Sequence, residues 1–236
     1  MRKAIAKILA TSRPSGNIDA IRRLGQEAVS AGADAIVLLG SLTLKGTGPR
    51  TVGQVLKALG EAHLPAFYVP GPDDTPFLEF LREAANFELV YPQLRGVHGT
   101  FALVHGQVVV SGMGGMIEDG PATLHNEVEI LRYPGWEVEY RLKFLHELKD
   151  YEKVFLFTTF PEHKGRHEKG SAVLAEIIKS YNPRVVLIAG KERKHEFIGK
   201  SLLVSTGSLA EGKFTLVNLR KQEVITSDFS QSVRVA

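Results

Sequence analysis

There is no cysteine in these 236 residues. That excludes disulfides, thiolate catalysis and cysteine-based zinc sites, and it suits a reducing cytosol or a heat-adapted chain. Charge of one sign is also lacking: 29 Lys and Arg stand against 26 Asp and Glu, a formal +3. The excess is scattered, with no basic run longer than "KERKH", so neither nucleic acid nor a membrane surface is indicated. No apolar run reaches membrane length, and "MRKAIAKILA" yields to "TSRPSG" too soon for a secretory signal. The expectation is a soluble, cytoplasmic protein.

What the chain does have is alternation. Short apolar runs such as "AIAKILA" (4–10), "ADAIVLLG" (33–40) and "LPAFYVP" (64–70) are followed by amphipathic stretches at 17–32, 51–63 and from Pro76 to about Asn86. Three strand–loop–helix units in series predict parallel strands with right-handed crossovers. "TFALVHGQVVVSGMGG" (100–115) reads as two strands joined at His105-Gly106-Gln107, and 136–150 as a helix. The beat resumes with strands at 153–159 and 184–190 around a helix at 170–182, and the C-terminal third is strand-rich. No linker separates units, so residues 1–236 read as one α/β domain. In such a sheet, ligands bind beyond the C-terminal strand ends. The loops there are "TSRPSGN", "GSLTLKG", "GPDDTP", "TTFPEHKG" and "GKERKHE".

Several motifs are weighed and set aside. "GSLAEGKF" (207–214) has P-loop spacing, but Phe214 replaces the magnesium-binding hydroxyl and a strand follows where a helix is required. "SGMGGMIEDG" reads as close backbone packing. His163 and His167 stand four apart, yet Pro161 and Gly165 argue against a helix that would align them for a metal. "PDDTP" (72–76) reads as helix capping, with Thr75 as N-cap and Pro76 at the first helical position, or alternatively as an active-site turn.

Taken together, the five loops resemble the calcineurin-like metallophosphoesterase family across nearly the whole chain. The family's S-D-x-H-G-N is "SRPSGN" (12–17), its G-D-x-x-D-x-G is "GSLTLKG" (40–46), and its G-N-H-D is "GPDD" (71–74). "TTFP" (158–161) stands for H-T-x-P and "GKERKHE" (190–196) for G-H-x-H, and "STGSLAEGKFTLVNL" resembles the closing strand pair. The resemblance implies a sandwich of two mixed sheets flanked by helices, a phosphoric ester hydrolase, and a dinuclear divalent-metal cofactor (Mn, Fe, Zn or Ca).

The ligand positions, however, hold other residues. Arg13 and Ser15 stand at the first Asp and His, Ser41 at the bridging Asp, Pro72 at the Asn and Asp73 at the catalytic His. Thr158 occupies a metal His, and Lys191 and Arg193 the last two; a short insertion would instead bring His195 and Glu196 there. Charge-free hydroxyls and a permanent guanidinium are poor metal donors. No cofactor is therefore expected at the usual dinuclear site. The leading expectation is an inactive or weakly active homologue that binds a phosphate-bearing small molecule through Arg13, Ser15, Asn17, Ser41, Asp74, Thr158, Lys191, Arg193 and His195. Asp73 is then either the candidate acid/base or a partner of Arg13. Two alternatives stay open: an active phosphoesterase with one or an altered metal, using Asp73, Asp74, His195, Glu196 and His163 or His167, and a homo-oligomeric scaffold suggested by "RYPGWEVEYRLKF" (132–144), whose aromatics are expected in the core.

Overall fold

The computed structural model describes residues 4–104, 107–120, 129–163 and 170–230. His167 and the His105-Gly106 turn lie outside the described residues.

Continuous apolar runs become strands buried on both faces. One sheet runs β14-β13-β1-β2-β3-β4, from β1 (Lys7–Ser12), β2 (Ala35–Leu39), β3 (Ala66–Val69), β4 (Leu94–Gly96), β13 (Lys213–Asn218) and β14 (Glu223–Asp228). Strands β1 to β4 are mutually parallel, and β13 and β14 add antiparallel. The other runs β11-β12-β10-β9-β6-β5, from β5 (Phe101–Val104), β6 (Val108–Met113), β9 (Glu152–Phe157), β10 (Val185–Ile188), β11 (Arg193–Ile198) and β12 (Ser201–Thr206). Its four central strands are parallel, with antiparallel β5 and β11 at the edges. A small pair, β7 (Met116–Glu118) and β8 (Arg132–Pro134), completes the described strands.

The period-2 alternation of the strands divides the core. Ile8, Ala10, Val37 and Leu39 of one sheet meet Val110, Val154, Leu187 and Val204 of the other between the sheets. Leu9, Ile36, Leu38, Phe155 and Val186 point to the helical layers. Those layers are α1 (Ile18–Ser30), α2 (Pro49–Gly60) and α3 (Phe77–Val90) on one side, and α4 (Gly135–Leu142) and α5 (Ala172–Tyr181) on the other. The two-sheet sandwich is the one the sequence implied.

Four local expectations need correction. "RKHEFI" is edge strand β11 rather than loop, so Arg193, His195 and Glu196 lie on a strand. Helix α4 ends at Leu142 and tightens into a 3-10 turn over Lys143–His146 instead of running to 150. Trp136 and Tyr140 are exposed, whereas Tyr133 is buried, so the aromatic segment is only partly core. Finally, α3 begins at Phe77 with Pro76 as N-cap, after a cis Thr75-Pro76 peptide. The Thr75 hydroxyl instead donates to the Glu129 carbonyl at 3.4 Å.

Candidate functional site

The C-terminal ends of β1, β2 and β3 open on the same edge as those of β9 and β10, because buried contacts stitch the two sheets there. The Ser12 hydroxyl donates to the Gly207 carbonyl at 2.6 Å and reaches the Gly190 carbonyl at 3.4 Å. This places Arg13, the next residue of one sheet, beside Lys191, the next residue of the other. Gly115 makes a second stitch: its N–H donates to the Pro70 carbonyl at 3.1 Å, and its carbonyl accepts the Thr158 hydroxyl at 2.6 Å. Arg13, Ser41, Asp73, Thr158 and Lys191 therefore line one edge.

The turn "GPDD" is held by Asp74, which is 1% exposed. Its Oδ2 accepts the N–H groups of Leu42 (2.8 Å) and Gly71 (2.7 Å), and its Oδ1 accepts the Thr43 N–H (2.8 Å) and hydroxyl (2.9 Å). Burial pushes its pKa up to about 6 against these four donors, which all favour the ionised form. Asp74 is thus a clamp between the loops after β2 and β3, with its oxygens turned away from the edge. Asp73 beside it is half-buried and accepts the Ser41 hydroxyl at 3.1 Å. Of the two alternatives for Asp73, the pairing with Arg13 gives way to this bond from Ser41.

Arg13 is exposed and left-handed (φ 50°), as is the backbone of Ser15 (φ 51°). Two non-glycine residues in that region within one short loop store strain of about 1–3 kcal/mol each. The loop's own amides are occupied: those of Arg13, Ser15 and Gly16 donate to the carbonyls of Leu39, Ser41 and Leu42. Asn17 is consumed as the α1 N-cap, its side chain accepting the Ala20 N–H at 3.0 Å. Because the Ser41 and Thr158 hydroxyls already donate to Asp73 and to the Gly115 carbonyl, the free donor capacity lies in the Arg13 and Lys191 side chains. Glu211 reports their field: its pKa is lowered first by the hydrogen bond and charge of Lys213, with Lys191 and Arg13 adding. Arg193 is engaged elsewhere, its guanidinium donating to the Ser227 carbonyl and standing 3.8 Å from Asp228 on β14. His195 is exposed on β11, and Glu196 stands 3.8 Å from His163.

Among the described residues, no group of three or more His, Asp or Glu side chains is placed to hold a metal ion. The donors at the edge do not fit a pair of dications, which need several anionic or imidazole ligands within reach.

Sequence reasoning missed His98. It follows β4, bridges to Gly112 of β6, and lies between the rings of Phe77 (5.1 Å) and Tyr133 (5.3 Å). Its Nδ1 accepts the Gly114 N–H at 2.9 Å, so the ring proton belongs on Nε2, 3.2 Å from the Tyr133 hydroxyl. Burial, aided by the Arg141 charge, pushes its pKa down to about 3. The folded state refuses a proton that the unfolded state accepts at about 6.5. Its contribution is therefore complete above pH 6.5 and lost as pH falls through 6.5 to 3, at up to about 1.4 kcal/mol per pH unit. Asp74 has the opposite sign, its raised pKa favouring the fold as pH falls from 6 to 3.8. His98→Gln, whose amide oxygen can still accept from Gly114, is expected to lose the acid-sensitive slope. Urea midpoints at pH 7, 5 and 4 for both proteins would check this; parallel pH profiles would refute it.

This sandwich, with its ligand edge at the parallel strand ends, defines a phosphoesterase-type scaffold, and the comparisons agree. Residues 45–229 match the family described as metallophosphoesterase, calcineurin superfamily. The chain belongs to that superfamily. A crystal structure of the protein TT1561 from Thermus thermophilus is 48% identical and superposes with a TM-score of 0.91, covering 95% of this chain and 99% of that one. A second solved structure is 28% identical with a TM-score of 0.86, covering 95% and 99%. An archaeal phosphodiesterase shares the fold at 11% identity and a TM-score of 0.56, covering 94% and 99%. No protein of curated function matches the chain in sequence.

Proposed function

We propose that this chain is a metallophosphoesterase homologue in which the dinuclear metal centre has been replaced by a side-chain anion site that holds a phosphate group. Arg13 is its principal donor, with Lys191 as the second cation. Ser41 and Thr158 line the edge with their hydroxyls donated to Asp73 and to the Gly115 carbonyl, and hydrolytic activity is absent or weak. The observation that carries the reading is Arg13 itself: an exposed guanidinium on strained backbone, at the position where the family's first metal-binding aspartate stands. At an effective dielectric of about 20, that permanent charge about 4 Å from a dication costs several kcal/mol. The same charge favours phosphate, which a guanidinium binds in bidentate fashion.

The strain makes the test sharp. Arg13→Gly removes the guanidinium and relieves a left-handed residue, so it should leave stability unchanged or raise it by about 0.5–1 kcal/mol. Inorganic phosphate or a nucleoside monophosphate should raise the melting temperature of the wild-type protein and leave that of Arg13→Gly unmoved. An equal shift in both proteins would sink the anion site. Stoichiometric manganese by elemental analysis, together with manganese-dependent turnover of phosphomonoester or phosphodiester substrates, would instead establish an active enzyme with an altered metal set.

A further inference from the structure

Helix α4 buries one face through Gly135, Val138 and Leu142. Residues three, four and seven apart share a helix face, and the flank beside the buried one presents Trp136, Glu139, Tyr140 and Lys143, all exposed. Trp136, the sole tryptophan of the chain, is 60% exposed, and Tyr140 is 63% exposed. Trp and Tyr are the side chains that most often anchor protein interfaces. Lys143 keeps helical backbone angles (φ −59°, ψ −25°), and its ammonium lies over the Tyr140 ring at 4.2 Å. The pattern on this face is anion, aromatic, cation, with Glu139 and Lys143 on either side of Tyr140.

That order is complementary to its own reverse. We infer that the α4 face docks on the α4 face of a second copy, as an antiparallel helix pair about a two-fold axis passing between Tyr140 and Lys143. A two-fold contact is isologous, so every favourable pair occurs twice. In this pairing each Lys143 falls beside Glu139 of the other copy and over its Tyr140, which exchanges an intrachain cation–π contact for an intermolecular one. Trp136 of each copy covers the flank of the opposing helix. Two short helical segments bury less than a standard interface of about 1,600 Å², so the pairing belongs to the weak, transient class. Helix α3 also exposes an apolar stripe, Leu78, Leu81 and Leu89, but the cation beside it, Arg82, is already paired with Glu83 of its own helix at 3.6 Å.

Sedimentation velocity on the full chain, from about 1 to about 500 µM to bracket that class, tests the pairing. The wild-type protein should pass from monomer to dimer, with a blue shift of the Trp136 emission as it does so. Lys143→Glu places like charges opposite each other at both symmetry-related positions and should weaken association at least about tenfold. The double variant Glu139→Lys, Lys143→Glu swaps the signs, restores both pairs and should restore the dimer. The substituted side chains are exposed, so circular dichroism and melting temperature should stay at wild-type values throughout. A monomer at every concentration would overturn the inference. So would a dimer that Lys143→Glu leaves intact, or one that Leu89→Glu on α3 dissolves.

Discussion

Asp74→Ala is expected to destabilise the fold by about 4 kcal/mol or more. The carboxylate accepts three backbone N–H groups and one hydroxyl at 2.7–2.9 Å, in a position with 1% exposure. Deleting it orphans four donors that water does not reach, and each buried donor without a partner costs about 1–3 kcal/mol. The loss should appear as a lower urea midpoint at unchanged m-value. Asp74→Asn is the finer test. Each oxygen carries two donors, so an amide nitrogen at either place opposes at least one backbone N–H, while the Thr43 hydroxyl can turn to accept. The amide should fall between aspartate and alanine. A cost below about 1 kcal/mol for Asp74→Ala would mean that water or a loop shift satisfies the amides, and the clamp would be wrong.

That clamp marks the limit of what sequence alone conveys. The sandwich was legible because continuous β-branched and leucine runs have few other fates than doubly covered strands, and the helices between them require parallel neighbours. The site loops were legible because a parallel sheet collects its carboxyl ends on one edge. What could not be read was the direction of a side chain within a loop. Asp73 and Asp74 are neighbours of one type, yet Asp74 turns inward to backbone amides 31 and 32 residues away while Asp73 faces the edge with Ser41. His98 carried no signal at all, since a histidine between two short strands has no periodicity to betray burial. β11 was hidden for a related reason: its "RKHE" is polar on an exposed edge, where apolar alternation is not needed. The glycine-rich "SGMGGM" was read as close packing, and a Cβ on Gly114 would lie 2.0 Å from the Pro70 carbonyl oxygen.

The second large effect expected comes from a single methyl group. A Cβ on Gly40 would stand 1.8 Å from the Gly71 nitrogen, and 2.4 Å from both the Gly71 Cα and the Pro70 carbonyl carbon. A Cβ on Gly71 would in turn lie 2.5 Å from the Ser41 Cα. These neighbours are backbone, so no rotamer change relieves the clash. The two strand ends would have to separate, against the Gly40 N–H donated to the Val69 carbonyl at 3.0 Å and against the Asp74 clamp. Overpacking a rigid site costs about 1–3 kcal/mol where neighbours can yield. Here they cannot, so Gly40→Ala should cost more than about 4 kcal/mol, the range reserved for a broken architecture, and the chain should be recovered poorly or with a collapsed urea midpoint. Gly46→Ala is the control: it sits at φ +79° with open space around it, so it carries backbone strain alone and should cost about 1 kcal/mol. If the two variants were equally stable, backbone contact would not be what joins the loops after β2 and β3. Should Gly40→Ala survive in folded form, phosphate should no longer raise its melting temperature, because the Arg13 loop hangs by its amides on the Leu39, Ser41 and Leu42 carbonyls, which the methyl group forces out of place.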